Sequence, residues 1–168
     1  KRVRASLVLM ATKLFSGEFE KALPVALAFE TFHNFTLIHD DIMDKASIRR
    51  GIPTVHVKWD ENTAILSGDA VMIIAYRFFE ESGEYVPQLF KLLNKTALEV
   101  CEGQQYDVDL EKSSLDDSFV SEEMYIKMIE LKTSVLLAAC LNAGAIVGGA
   151  SKEDEKKMYE IGRQIGIA

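Results

Sequence analysis

The stretch KALPVALAFETFHNFTLIHDDIMD, residues 21–44, decides how the rest of the chain is read. Leu27, Phe29, Phe32, Phe35, Thr36 and Leu37 make a helix from about Lys21 to Met43 apolar nearly all round, which predicts a central, buried helix. Pro24 is tolerated in its first turn. The helix runs into His39-Asp40-Asp41-Ile42-Met43-Asp44, and Arg49-Arg50-Gly51 follow. On a helix Asp40 and Asp44 share a face, with Asp41 turned about 100° from Asp40. Carboxylates spaced in this way repel one another, and the helix dipole disfavours them at a C-terminus. A cation resolves both conflicts. Hard oxygen donors without a Cys or His cage suit Mg²⁺, which is held by one or two carboxylates while substrate phosphates fill other positions. Arg49 and Arg50 are placed to take the remaining phosphate charge.

Outward from that stretch, helical periodicity continues almost throughout. Val3, Leu7, Val8, Met10, Ala11, Leu14 and Phe15 form an apolar stripe that Gly17 ends. Residues 44–53 read as a loop, because Gly51 and Pro53 both resist helix. Residues 54–60 read as a short helical turn, 63–79 as a strong helix, and Pro87 as the start of a long helix to about Glu111. Residues 113–118 read as a polar loop carrying Asp116-Asp117. Ser121 followed by Glu122 and Glu123 opens a helix to about Val147, which Gly148-Gly149 break. Ser151-x-x-Asp154 caps the last helix. No strand pattern and no repeat is visible. The expected class is all-α: a single domain over residues 1–168, with long antiparallel helices joined by short loops.

Composition narrows the function. With 19 Lys and Arg against 26 Asp and Glu, the net charge of −7 and the lack of a basic stripe speak against nucleic acid. An acidic protein that takes an anionic substrate needs a local reversal of its field, which a bound divalent ion supplies. Cys101 and Cys140 lie in apolar helical patterns and read as reduced core thiols of a cytoplasmic protein. No apolar run reaches the ~18 residues of a membrane span. Lysine as residue 1 and the unfinished run Gly162 to Ala168 read as parts of a longer chain.

Three further polar groups interrupt the apolar pattern. Lys1 and Arg4 share a face at a helix start, where the dipole disfavours cations unless an anion joins them. Gly103-Gln104-Gln105-Tyr106-Asp107 sits mid-helix; Gly103 weakens the helix by up to ~1 kcal/mol relative to alanine, which points to a close approach. Lys132-Thr133 sits in another apolar helix, where the β-branched Thr133 suggests a bend that turns backbone groups toward a ligand. His33 lies two turns before Asp40, near the same face, whereas His39 points away and His56 follows the arginine loop. Each histidine alone reads as a structural residue, and no pair has zinc-ligand spacing.

Taken together, Lys1-Arg2-Val3-Arg4, Asp40-Asp41-Ile42-Met43-Asp44 with Arg49-Arg50-Gly51, Gly103-Gln104-x-x-Asp107 and Lys132-Thr133 resemble the motifs of the trans-isoprenyl diphosphate synthases, or polyprenyl synthetases. Pro53-Thr54-Val55-His56 and Leu66-Ser67-Gly68-Asp69 are similar to the same family. The resemblance implies an isoprenoid synthase-type helical bundle around a central cavity. It implies Mg²⁺, with Mn²⁺ as a substitute, on Asp40, Asp41 and Asp44. It implies an allylic diphosphate on Arg49, Lys132 and Thr133, and isopentenyl diphosphate on Lys1, Arg4, His33 and Arg50. Gln104 and Asp107 face the metal and substrate side. The implied reaction is ionisation of the allylic C–O bond, head-to-tail attack by isopentenyl diphosphate and loss of a proton. Phe35 and Thr36 match the floor positions that limit product length; a Phe there predicts a short or medium product, farnesyl or geranylgeranyl. A homodimer without a membrane span is implied as well.

One departure stands out. The family carries a second aspartate-rich motif, and Asp116-Asp117 does not supply it because position 120 is Val. The expectation is that residues 1–168 stop short of it, so that this portion turns over poorly alone. Two other readings share some of these features. A class I terpene cyclase ionises the same substrates but has no use for the second diphosphate site at Lys1, Arg4 and Arg50. A non-catalytic subunit of a heteromeric synthase does not need an intact aspartate motif.

Overall fold

The computed structural model describes residues 2–115 and 120–168. Its helices are α1 (Val3–Ser16), α2 (Leu23–Met43), α3 (Val55–Lys58), α4 (Glu61–Glu80), α5 (Val86–Leu115), α6 (Glu122–Ile129), α7 (Val135–Val147) and α8 (Lys152–Ile167). A π turn, Glu130–Ser134, joins α6 to α7 without a break. Chain punctuation explains the ends. Gly17 at φ +74 closes α1, the Asp60 side chain accepts from the Thr63 N–H at the start of α4, and the Ser151 side chain does the same for Asp154 at the start of α8.

Helices α1, α2, α4, α5 and α7 follow one another around a ring, each packed on the next, and α8 lies outside against α7 and the π turn. The core runs through the ring. Phe29, Phe32, Phe79, Leu89, Leu93 and Leu136 are fully buried, with Phe29 and Phe79 edge to face at 5.5 Å. Burial of each such side chain contributes about 1.5–3 kcal/mol. The continuous helical segment Glu122–Val147 is 26 residues long and apolar enough to cross a membrane. However, 72% of its most apolar window is packed inside the bundle, which makes it the core helix here.

The all-α expectation holds, with five corrections. Residues 44–53 contain a small antiparallel hairpin of β1 (Ile48–Arg49) and β2 (Ile52–Pro53), not only loop. Its two-residue turn has Arg50 at φ 54 and Gly51 at φ 83, the conformation that matches the twist of paired strands. Helix α2 is not buried all round: Leu27 is 50% exposed, because only the face carrying Val25, Ala28, Phe29 and Phe32 turns into the ring. Met10 and Leu14 of α1 are likewise exposed, while Val8, Ala11 and Thr12 face inward. The helix drawn to about Glu111 continues to Leu115, so the expected polar loop is helical at 113–115, and its residues 116–118 lie outside the described residues. Of the two thiols only Cys140 is a core residue; Cys101 is exposed.

Candidate active site

The last turn of α2 carries Asp40 and Asp41, and the hairpin folds back over them. The Thr54 hydroxyl donates to the Ala46 carbonyl at 2.7 Å and pins the hairpin base. Arg49 is thereby aimed at the helix end: its Nε donates to Asp41 Oδ1 at 2.6 Å and its Nη2 to Asp40 Oδ2 at 3.1 Å. From the opposite wall Lys132 reaches across on the π turn. Its Nζ lies 2.6 Å from Asp107 Oδ2 on α5 and 3.0 Å from Asp40 Oδ1. The two carboxylates raise the Lys132 pKa against the opposing pull of burial. Two cations and three carboxylates are thus interlocked where α2, α5 and the π turn meet.

Asp44 caps α2, its N–H donating to the Asp40 carbonyl at 2.9 Å, and its side chain stays apart from the Arg49 and Lys132 pairs. Partial burial pushes its carboxyl above the usual range, and the charges of Asp40, Asp107 and Glu111 add to the push while Lys132 opposes it. Asp40 Oδ1 is buried and makes no well-directed hydrogen bond even with Lys132 nearby. Among the described residues no three His, Cys, Asp or Glu side chains converge into a ready metal cage. The donor set nonetheless fits a hard divalent cation: oxygen ligands only, and carboxylates at Asp40, Asp44 and Asp107 whose mutual repulsion such an ion would relieve.

A second, basic hollow of about 410 Å³ is lined by Arg2, Val3, Arg4, Glu30, His33 and Arg50. Glu30 Oε2 accepts the Ala5 N–H at 3.2 Å and so ties α2 to the start of α1. Arg4 Nη1 donates to His33 Nε2 at 2.9 Å; since arginine has no acceptor, the imidazole is neutral at that nitrogen. Burial, followed by the charges of Arg4, Arg50 and Arg49, pushes the His33 pKa down to about 3. Lys1 lies outside the described residues.

Between these charged regions and the ring interior runs an apolar cavity of about 310 Å³. Phe32, Phe35 and Thr36 of α2, Met72 of α4, and Val100 and Cys101 of α5 are among its walls. Thr36, Val100 and Gln104 also line the smaller polar hollow that holds Arg4, His33, Asp40, Lys132 and Thr133, so the two spaces share one wall. Gln104 Nε2 is buried there without a partner.

The expected residues therefore fall into one neighbourhood, with Lys1 undescribed and Asp44 at its edge. His39 points away from the acidic triplet, as expected: its ring turns toward α4 and lines the apolar cavity, edge-on to Phe35 at 4.9 Å and 3.6 Å from Asp69. The signal for this contact was Gly68, where any Cβ would stand 2.4 Å from His39 Nε2. Met72 and Cys101 carried no such signal.

A helical ring with an acidic mouth, a basic hollow and an apolar interior places the chain among the isoprenoid synthase folds. It aligns with the crystal structure of geranylgeranyl pyrophosphate synthetase from Pyrococcus horikoshii Ot3 at a TM-score of 0.93 and 38% identity, covering 99% of this chain and 50% of that one. The polyprenyl synthetase model matches residues 1–168, and the chain belongs to that family. It is 45% identical over 170 residues to the geranylgeranyl diphosphate synthase of Methanosarcina mazei, covering 99% of this chain and 51% of the relative. It is 39% identical over 176 residues to the geranylfarnesyl diphosphate synthase of Aeropyrum pernix, covering 100% of this chain and 54% of the relative. The chain thus spans about half the length of the relatives it matches.

Proposed function

We propose that the protein is a prenyltransferase that condenses isopentenyl diphosphate head-to-tail with an allylic diphosphate, giving a trans-prenyl diphosphate of farnesyl or geranylgeranyl length. The observation that carries this reading is Lys132, held between Asp40 and Asp107 in a hollow that shares its wall with the apolar cavity. In this reading Asp40, Asp41 and Asp44 hold Mg²⁺, or Mn²⁺ in its place. The bound ion would neutralise charge on the allylic diphosphate. Arg49 and Lys132 exchange their carboxylate partners for the diphosphate oxygens, and the Thr133 hydroxyl adds a donor. These groups stabilise the negative charge that grows on the leaving diphosphate as the C–O bond breaks. Gln104 and Asp107 line the approach.

Lys1, Arg4, His33 and Arg50 would hold isopentenyl diphosphate in the basic hollow, so that its double bond faces the allylic carbon. The apolar cavity keeps water from the cation before the new C–C bond forms and a proton leaves the adduct. Phe35 and Thr36 set the depth available to the growing chain. A terpene cyclase has no use for the second, basic hollow. The clamp is completed, on this reading, by a second aspartate-rich segment outside residues 1–168, the single all-α domain described here forming the rest of the cavity. We place the protein in the cytoplasm as a homodimer; exposed Leu66 and Ile73 on α4 and Leu98 on α5 offer an apolar face for a second copy.

The test incubates the complete protein with Mg²⁺, dimethylallyl diphosphate and radiolabelled isopentenyl diphosphate. Label in a longer prenyl diphosphate is expected. Product without label would mean a cyclase, and no product would mean a non-catalytic subunit.

A further inference from the structure

The π turn Glu130–Ser134 is wedged between two helices at glycine contacts. On the α5 side, a Cβ at Gly103 would stand 2.2 Å from the Lys132 nitrogen and 2.6 Å from the Leu131 carbonyl carbon. On the α8 side, a Cβ at Gly166 would stand 2.4 Å from Ser134 Cα. Both obstacles are backbone, so neither can swing aside. Side chains fasten the same wedge to α8. The fully buried Ser134 hydroxyl donates to the Arg163 carbonyl. Arg163 Nη1 donates to Glu130 Oε1 at 3.2 Å, while its Nε and Nη2 grip Glu160 at 2.9 and 2.7 Å.

A π turn carries one residue more than the helix around it can accommodate, and survives only where its surroundings hold it. Here the surroundings also set a direction. Gly103 and Asp107 lie one helical turn apart on α5; the first admits the Lys132 backbone and the second receives its ammonium at 2.6 Å. We propose that Gly103, Ser134 and Arg163 are positioning residues, which lock the π turn between α5 and α8 and thereby aim Lys132 at the acidic mouth. Gly103 meets Lys132 only at its backbone, Ser134 and Arg163 pair with groups outside the mouth, and nothing in the reaction requires Arg163 on α8. The proposal rests on the diphosphate-binding reading of Lys132, and its consequence is that α8 governs diphosphate affinity from outside the ring.

Two measurements on the same variants test it. The first follows amide hydrogen exchange across residues 130–135 in the ligand-free protein. Arg163→Gln is expected to speed it about tenfold, and Arg163→Lys, which keeps the charge facing Glu130, to stay near the parent. Exchange in α1 and α2 should not move. The second measures affinity for inorganic pyrophosphate with Mg²⁺ by calorimetry. Arg163→Gln should weaken it about fivefold in the parent but not further in a Lys132→Met background, because two residues acting through one group are not additive. Unchanged exchange at 130–135, or equal weakening in both backgrounds, overturns the positioning role. A parent protein that binds no pyrophosphate refutes the diphosphate reading of Lys132, while the exchange result still decides whether the clamp exists.

Discussion

Lys132 and His33 show how two residues of unremarkable sequence context become specialised through their neighbours. Lys132 is a cation in a helix otherwise apolar enough to cross a membrane, and its head group is held by two carboxylates. Removing it with Lys132→Met leaves Asp40 and Asp107 without that charge but also removes a partly buried ammonium, so stability should shift little. Affinity for magnesium pyrophosphate should fall by about ten- to a hundredfold, the weight of a lost charge-assisted hydrogen bond of ~1.5–3 kcal/mol. Calorimetric titration checks both halves, and affinity within twofold of the parent would remove Lys132 from the diphosphate site.

His33 makes a prediction in pH. Its folded pKa lies near 3, whereas the unfolded imidazole titrates near 6.5. Below about 6.5 the unfolded chain therefore takes up a proton that the folded chain refuses, and stability is lost as pH falls toward 3. The limiting slope is ~1.4 kcal/mol per pH unit. Urea titrations at pH 6.5 and 5 should show the parent losing about 1–2 kcal/mol more than His33→Gln over that interval. Equal losses would mean that His33 is protonated in the folded state and that Arg4 is not its partner.

At the scale of elements, the hairpin between α2 and α3 has the most influence on the site for its size. Its strands are two residues each, yet it turns Arg49 back onto the helix end. Gly51 sits at φ 83 with open space where a Cβ would go, so Gly51→Ala meets conformational strain and no clash. The expected cost is about 1–2 kcal/mol in urea unfolding, accompanied by weaker pyrophosphate binding as Arg49 loses its aim. A variant as stable as the parent would show that the turn relaxes to another form at no cost.

The same hairpin marks where sequence reading stops. Helical periodicity located the long helices, because each carries many inward residues whose spacing repeats. A strand pair this short has no periodicity to read, and its only signal was a glycine second in a two-residue turn. The bend at Lys132-Thr133 was visible as a β-branched residue in an apolar helix. That it is a π turn, and that Gly103 is its seat, depends on a contact between α5 and the α6–α7 segment that neither local sequence contains. Periodicity likewise gives the inward face of a helix but not the helix it meets, which is why Met72 and Cys101 surfaced only in three dimensions.

At the scale of the molecule, the ring converts separate helices into a cavity of defined depth. The charged mouth is built by the end of α2, the hairpin, α5 and the π turn, while the apolar interior is built by α2, α4 and α5. Phe35 stands where these meet, its ring 5.5 Å from Phe32 and 4.9 Å from His39, which in turn is held against α4 at Gly68 and Asp69. A chain growing from the mouth into the cavity would reach this aromatic cluster before the deeper core. Phe35→Ala removes one ring from a wall whose other members stay fixed, since Phe32 is fully buried. Truncating a buried Phe costs about 3–5 kcal/mol; a cavity-lining one already has an open side, so the loss should fall at or below the lower end. The complete protein should therefore still fold and make a product longer by at least one isoprene unit, read by chromatography of the dephosphorylated prenols. An unchanged product distribution from a folded Phe35→Ala protein would mean that the chain does not extend along α2 and that the floor lies elsewhere in the ring.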